Sequence, residues 1–471
     1  MSGTTKRPNI ILIMTDQQRY DQIGFASGGH FQTPNLDRLA QKGVVFQNAY
    51  SSSTVCVPAR TSLLTGLQHH RVPKQPHHHL SMREGYWTIA RALRVAGYRT
   101  GLVGKMHFSP IHSQHGFDVT RMCEHLAVSA GYGPQDIDDF YKWLLWNGRA
   151  DWKATHIYGP GRETEVKEYN EKHSAVPFGY DKYFHPTEWI KRGSLEFLAK
   201  QSEQDPFLLI ISFPHPHAPY DPPEPYASMF DPADAILPEE TLAVNERLPP
   251  AFRNAIMKHR VNFRQPIGNV SDDVTRRILT YVRALIRHID DAVGEVLEQV
   301  DLTKTTVFFT SDHGDFSGHR GMLAKSPWIT FDDLARVPFF AAGFGVSPGQ
   351  QVTQLVQSCD FALTALELAG VTAPPAIDDT RSLVPYFEGR SVGADRAVFC
   401  CTSLSWPMIR EADLKYFLHQ ESGDEMLFDL AKDPGETVNL IGDPLYGARE
   451  SHLRNLLKEE LGKGIPDLPT L

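Results

Sequence analysis

A chain of 471 residues, 41% hydrophobic and 22% charged, is long enough to bury one large core and a smaller second one. Its formal net charge of -9 is spread without a basic block, which argues against a nucleic-acid partner and obliges any anionic ligand to find a local positive site. Five cysteines, Cys56, Cys123, Cys359, Cys400 and Cys401, are an odd number without CxxC spacing, so free thiols in a reducing cytoplasm are expected.

The first residues run directly into Ile10–Met14, an apolar stretch too short for a signal-peptide core or a membrane span, which reads as a first buried strand. A cytoplasmic protein with no membrane segment is the expectation. Helical patterns follow over Asn35–Lys42, Ala59–Leu64 and Thr88–Ala96, then a strand at Thr100–Val103. Phe207–Phe213 and Thr306–Thr310 read as central strands, with a long amphipathic helix from about Asp273 to Val300 between them in sequence. This alternation predicts an α/β layered domain, whose ligands sit beyond the carboxyl ends of its strands. From Cys123 to Lys191 clean periodicity is lost, which predicts lids or binding loops, and Asp221–Pro250 reads as a further covering loop. Tyr141, Trp143, Trp146, Arg149 and Trp152 suit ring stacking, but such spacing also suits helix packing, so they receive no role. After Ala373, short strands at Ala397–Cys401 and Lys415–His419 and a helix from about Leu445 to Leu461 predict a small α+β unit. On a strand, Cys400 and Cys401 would face opposite ways. The expected domains are 1–375, catalytic, and 376–471, a C-terminal subdomain.

Asp16-Gln17 directly follows the first strand, and Asp312-His313-Gly314 directly follows Thr306–Thr310. Two carboxylates, an amide oxygen and an imidazole at equivalent strand ends suit a divalent cation with mostly oxygen ligands, such as calcium, magnesium or manganese. Helix caps or turns would also place aspartates there. Cys56 stands at a helix entrance with Pro58 pre-setting φ and Arg60 one turn on, a positive setting that favours an anion, although a plain structural cysteine fits as well. Taken alone, Lys105 and Lys325 read as solvated lysines, His217 as part of a proline-rich turn, and His107 as a core histidine.

Cys56-x-Pro58-x-Arg60, followed by four residues and Thr65-Gly66, resembles the signature of the type I, formylglycine-dependent sulfatases of the alkaline phosphatase-like superfamily. Matching segments run along nearly the whole chain: Thr33-Pro-Asn35-Leu-Asp37, Gly104-Lys105-Met106-His107, Pro216-His217-Ala-Pro219, Ser311-Asp312-His313-Gly314, and the terminal Asp433-Pro-Gly-Glu436. The resemblance implies a large mixed, mostly parallel sheet flanked by helices, with a C-terminal α+β domain on an antiparallel sheet. It implies hydrolysis of a sulfate ester, with Cys56 oxidised by a formylglycine-generating enzyme and one divalent cation held by Asp16, Gln17, Cys56, Asp312 and His313. In that family pattern Lys105 and His107 orient and deprotonate a hydroxyl of the hydrated aldehyde. His217 and Lys325 hold the sulfate and protonate the leaving alcohol, and Arg60 anchors the modified residue. The substrate would be a small-molecule or saccharide sulfate ester, and a homo-oligomer is compatible with the sequence.

The chain departs from the aryl sulfatases that carry two aspartates at the first metal element and Asp-Asn at the second. Asp16-Gln17 with Asp312-His313 makes a less negative site, where calcium is expected and manganese or magnesium are the alternatives. The same pairs resemble the phosphonate monoester hydrolase and choline sulfatase branches, so phosphonate or phosphodiester hydrolysis is the enzymatic alternative. Lys105-x-His107 resembles the sulfatase branch. An unmodified protein that binds sulfated ligands is the non-enzymatic alternative. Lys325 stands farther from Arg336 than in the commonest family form. His69-His70 and His77-His-His79 match no family ligand position and read as rim loops.

Overall fold

The computed structural model describes residues 7–75, 78–124, 137–149, 175–238, 242–262, 271–390, 396–402 and 405–468. In chain order the strands are β1 (Asn9–Asp16), β2 (Gly43–Tyr50), β3 (Lys74–Gln75), β4 (His78–Met82), β5 (Arg99–Gly104), β6 (Val119–Met122), β7 (Phe207–Pro216), β8 (Thr305–Ser311), β9 (Phe339–Gly343), β10 (Gln350–Gln357), β11 (Val398–Cys400), β12 (Met408–Glu411), β13 (Leu414–Leu418) and β14 (Glu425–Asp429). The main sheet has eight strands in the order β10-β2-β9-β8-β1-β7-β5-β6. β1 pairs in parallel with both β7 and β8, and β9 runs antiparallel to both of its neighbours. The sheet is therefore mixed and mostly parallel.

β1 and β7 are almost continuously buried, as expected of parallel strands covered on both faces. Side chains alternate across the pleat, so one strand serves two cores. Ile10, Leu12 and Met14 join one core with Leu63 and Leu64 of helix α2 (Cys56–Thr65) and Ile89 and Leu93 of helix α3 (Ile89–Val95). Ile11 and Ile13 join the other with Leu36 and Leu39 of helix α1 (Pro34–Gln41) and with Ile289 and Val293 of the helix Asp272–Leu297.

The second sheet, β11-β12-β13-β14, is antiparallel throughout. One face carries Cys400, Met408, Phe417 and Phe428 against Tyr50 and Phe331 from the main body. The other carries Cys401, Ile409, Tyr416 and Leu427 against Leu453 and Leu457 of the helix Gly447–Gly462. Cys400 and Cys401 thus face opposite ways, and all five cysteines are buried free thiols.

Among the described residues, the segment read as irregular from Cys123 onward includes two α-helices. Asp138 caps helix α4 (Asp139–Trp146) by accepting from Tyr141 N at 2.7 Å, and Phe140, Tyr141 and Leu144 are buried. Pro186–Leu198 is helical, with His185 at its cap. The aromatic run is helix packing: Trp143 contacts Phe140, Tyr183 and Phe184, and Arg149 lies over Tyr180 and Phe184. Trp152 and the other residues of 150–174 lie outside the described residues. Among the described residues no helix is long and apolar enough to cross a membrane.

Candidate active site

Register brings the polar strand ends to one edge of the sheet. Thr15 pairs with Ser311, Asp16 with Pro216, and Gly104 with Ser212, so Asp16, Lys105, His217 and Asp312 converge where β1, β5, β7 and β8 stop. Cys56 arrives from the other direction as the first residue of α2, after the buried turn that follows β2.

Arg60, one turn into α2 and buried, ties these ends together. Its Nη2 donates to Asp16 Oδ2 at 2.9 Å and its Nε to Asp312 Oδ2 at 2.8 Å. Its Nη1 donates to the Lys105 carbonyl at 2.6 Å and to Ser212 Oγ at 2.8 Å. Lys105 Nζ lies 2.8 Å from Asp16 Oδ2, and both side chains are fully buried. Cys56 Sγ lies 3.1 Å from His313 Nε2 and 3.7 Å from Asp16 Oδ1, while Lys325 Nζ donates to it at 2.7 Å. The surface-lysine reading of Lys105 and Lys325 is therefore wrong. Both are drawn inward by charge partners that sequence spacing does not reveal.

Burial raises the Asp16 pKa, but Lys105, His217, Arg60 and Lys325 more than offset this and hold it well below the usual carboxylate range. Burial and Asp16 push the Cys56 thiol up, and Lys325 with His313 outweighs them, so the thiol is held below its ordinary value. Burial depresses His107, and Lys105 and Arg60 add to it, so the ring is neutral at neutral pH. His217 is depressed by burial, Lys325 and Lys105. Its Nδ1–H donates to the Ala218 carbonyl at 2.7 Å, which leaves Nε2 as the proton-exchanging atom. Three cations, Arg60, Lys105 and Lys325, surround two carboxylates, and this supplies the local positive field that an anionic substrate needs.

Three supporting residues were missed by sequence reasoning. Ser212 receives Arg60, as above. Glu124, buried beyond β6, accepts from Met106 N at 2.9 Å and His107 N at 2.8 Å, holding the turn in which His107 has φ 55°. Asp315 accepts from Gln17 Nε2. None belongs to the motifs, and each acts on a partner distant in sequence. His69 is buried and His70 lies against the Glu460 carbonyl, at 3.1 Å, beside the C-terminal helix. His77 lies outside the described residues.

Ligand atoms of Asp16, Cys56, Asp312 and His313 all lie within 4.8 Å of one another. Gln17 Oε1 is buried with no hydrogen-bond donor, and Gln17 N donates to Asp312 Oδ1 at 3.0 Å. An orphaned amide oxygen beside two carboxylates and an imidazole fits a divalent cation. A second buried cluster, His185, His215 and Asp221, has a different geometry. Its two imidazoles stack with ring centroids 4.7 Å apart at 25°, so their in-plane lone pairs run side by side rather than toward one ion. His215 is also bonded to Asp221 at 3.1 Å. The packing suits a buried polar network.

The sulfatase family model matches residues 8–371, spanning the main sheet and every residue of this site. The chain belongs to the sulfatase family. It is a sulfuric ester hydrolase. A second model, the C-terminal region of N-sulphoglucosamine sulphohydrolase, matches residues 326–463 of this sulfatase and takes in the small sheet. The chain is 29% identical over 490 residues to an arylsulfatase of Clostridium perfringens, covering 97% of this chain and 94% of that one. It is 30% identical over 460 residues to a choline-sulfatase of Rhizobium meliloti, covering 94% and 84%. Its fold is similar to that of a phosphonate monoester hydrolase from Silicibacter pomeroyi, with a TM-score of 0.80, 24% identity, and coverage of 96% and 95%.

Proposed function

We propose that this sulfatase hydrolyses the sulfate ester of a small molecule or saccharide with a nucleophile made from Cys56, which a formylglycine-generating enzyme oxidises to formylglycine. The observation that carries the reading is the placement of Cys56 at the buried entrance of α2, with Asp16, His313 and Lys325 around its sulfur. That sulfur stands in for the oxygens of the hydrated aldehyde. Asp16, Gln17, Asp312, His313 and residue 56 would hold a divalent cation, calcium in the first instance and manganese or magnesium as alternatives. When bound, the cation favours loss of a proton from a neighbouring hydroxyl and screens the charge of the sulfate.

The protein groups divide the remaining work. Burial lowers the Lys325 pKa, but Cys56, Asp16 and Asp312 more than reverse this and keep it cationic. It binds a sulfate oxygen; as a hydroxyl oxygen of the hydrated residue 56 bonds to sulfur and the ester S–O bond breaks, a Lys325 proton, relayed through the unprotonated Nε2 of neutral His217, passes to the departing alcohol. His107 is neutral and accepts the proton of the second hydroxyl, and Lys105, paired with Asp16, orients that hydroxyl. Loss of that proton breaks the C–O bond to sulfate and restores the aldehyde, so water never attacks sulfur. Water then adds to the aldehyde for the next cycle. Arg60 fixes α2 against both carboxylates throughout.

The competing reaction is phosphonate monoester or phosphodiester hydrolysis. Rates on aryl, choline and saccharide sulfates, set against an aryl phosphonate monoester, decide between them. At least one sulfate ester is expected to exceed the phosphonate in kcat/KM by about a hundredfold, roughly 3 kcal/mol of transition-state stabilisation. The reverse preference would overturn the assignment.

A further inference from the structure

We infer that Asp315 is a positioning residue that locks the Gln17 side chain with its amide oxygen, and not its nitrogen, presented to the cation site. The inference rests on the cation-site reading given above. Gln17 leaves β1 with φ 70°, a left-handed conformation that is strained for a residue with a side chain and persists only where surrounding contacts enforce it. Two hydrogen bonds enforce it here. The Gln17 N–H is taken by Asp312 Oδ1, and its side-chain Nε2 by Asp315 Oδ2.

A carboxylate only accepts hydrogen bonds, so the end of the amide that faces Asp315 must be the NH2 group. The oxygen is thereby sent the other way, into a buried position with no donor. The carboxylate is itself fixed. Its Oδ1 accepts from Ser317 N at 2.5 Å and from Ser317 Oγ at 3.0 Å, and Arg19 Nη1 reaches the Asp315 carbonyl at 3.4 Å. Arg19 is in turn paired with Asp21 and Asp333 at 2.8 and 2.9 Å.

The arrangement gives a physical reason for an amide at position 17. An acidic side chain there would face the buried Asp315 carboxylate, and two like charges in a low-dielectric setting repel. The negative charge is instead held one residue behind a neutral ligand, which lowers the charge in contact with the cation while keeping its field nearby. Gln17 and Asp315 behave as one unit.

Calorimetric titration of the full chain with calcium chloride and with manganese chloride, after chelation and without any substrate, tests this. Asp315→Asn leaves Gln17 free to rotate its amide and is expected to weaken cation binding by about 10- to 100-fold. Gln17→Ala should weaken binding similarly, and Asp315→Asn added to Gln17→Ala should change it by less than about twofold, because the two act through one contact. The double swap Q17E/D315N moves the carboxylate to position 17 and the amide to position 315, so that the amide there donates to the carboxylate. It restores a matched pair and is expected to bind at least as tightly as the wild type. It also guards against loss of folding in the single variant. Undiminished affinity in Asp315→Asn, or an equal loss when that change is added to Gln17→Ala, or failure of the swap to recover binding, would overturn the role of Asp315 alone. A wild-type protein that takes up no divalent cation would overturn the cation site with it.

Discussion

Arg60 concentrates the site's electrostatics in one side chain. It spans two carboxylates, a carbonyl and a hydroxyl, and removing it leaves Asp16 and Asp312 buried and close together. Arg60→Met should therefore destabilise the cation-free protein by about 3–5 kcal/mol, the usual consequence of stripping one partner from a buried ion network. Calcium should recover part of that loss, because it neutralises the same carboxylates. Urea unfolding with and without calcium measures both quantities, and a variant as stable as the parent under chelation would contradict this reading. At this scale the motif residues were legible because each lies in a short local pattern. Glu124, Ser212 and Asp315 were not, since their partners lie 17 to 298 positions away. Only folding joins them.

Backbone approach at the ends of elements matters as much as side chains. Gly104 closes β5 at φ 115°, and a Cβ there would stand 1.8 Å from the Ser212 carbonyl oxygen. Gly104→Ala should separate β5 from β7, displace Lys105 and cut turnover by about 100-fold or more, with kcat falling more than KM rises. Steady-state kinetics read this directly, and near-normal kcat would refute it. Nearby, Thr88 accepts from Arg91 N to cap α3 and donates to the His115 carbonyl. The buried His115 ring titrates at about 4 rather than 6.5, first through burial and then through Arg91. Its neutral form is favoured by folding, so its stabilising contribution is complete above pH 6.5 and lost as pH falls toward 4, on the order of 3 kcal/mol in total. His115→Asn should flatten the stability-versus-pH slope in that window, and an unchanged slope in urea unfolding would contradict the assignment. Apolar residues at their centres marked β1, β7 and β8, and β5 was marked on the shorter stretch Thr100–Val103. Of the main sheet, sequence periodicity missed β2, β6, β9 and β10. β10 has its outer half exposed at the sheet edge, and β2 turns from apolar to polar midway, so neither shows a clean period. Helix α4 was hidden because its aromatic residues pack on two sides.

Across the whole molecule the alternation of strands and helices was enough to place an α/β body before a terminal α+β unit, and the resemblance to the sulfatases implied that the terminal sheet is antiparallel. What sequence could not show is how the two share a core. Tyr50, Phe331 and Leu334 from the segments that frame the active site pack with Met408, Phe417 and Phe428 of the small sheet. Lys415 of β13, fully buried, reaches Asp332 at 2.6 Å and Glu436 at 2.8 Å, and Tyr50 Oη donates to the same Asp332 at 2.8 Å. The small sheet thereby buttresses the turn that delivers Lys325 and the strand that leads to Cys56. All of this converges on one side chain. Peptide mass analysis across Cys56, on protein produced together with a formylglycine-generating enzyme and assayed for sulfate-ester turnover in the same sample, tests the central claim. The expected result is replacement of the thiol by an aldehyde or its hydrate, with turnover proportional to the converted fraction. A thiol that persists in the presence of that enzyme, or turnover that does not follow conversion, would contradict it.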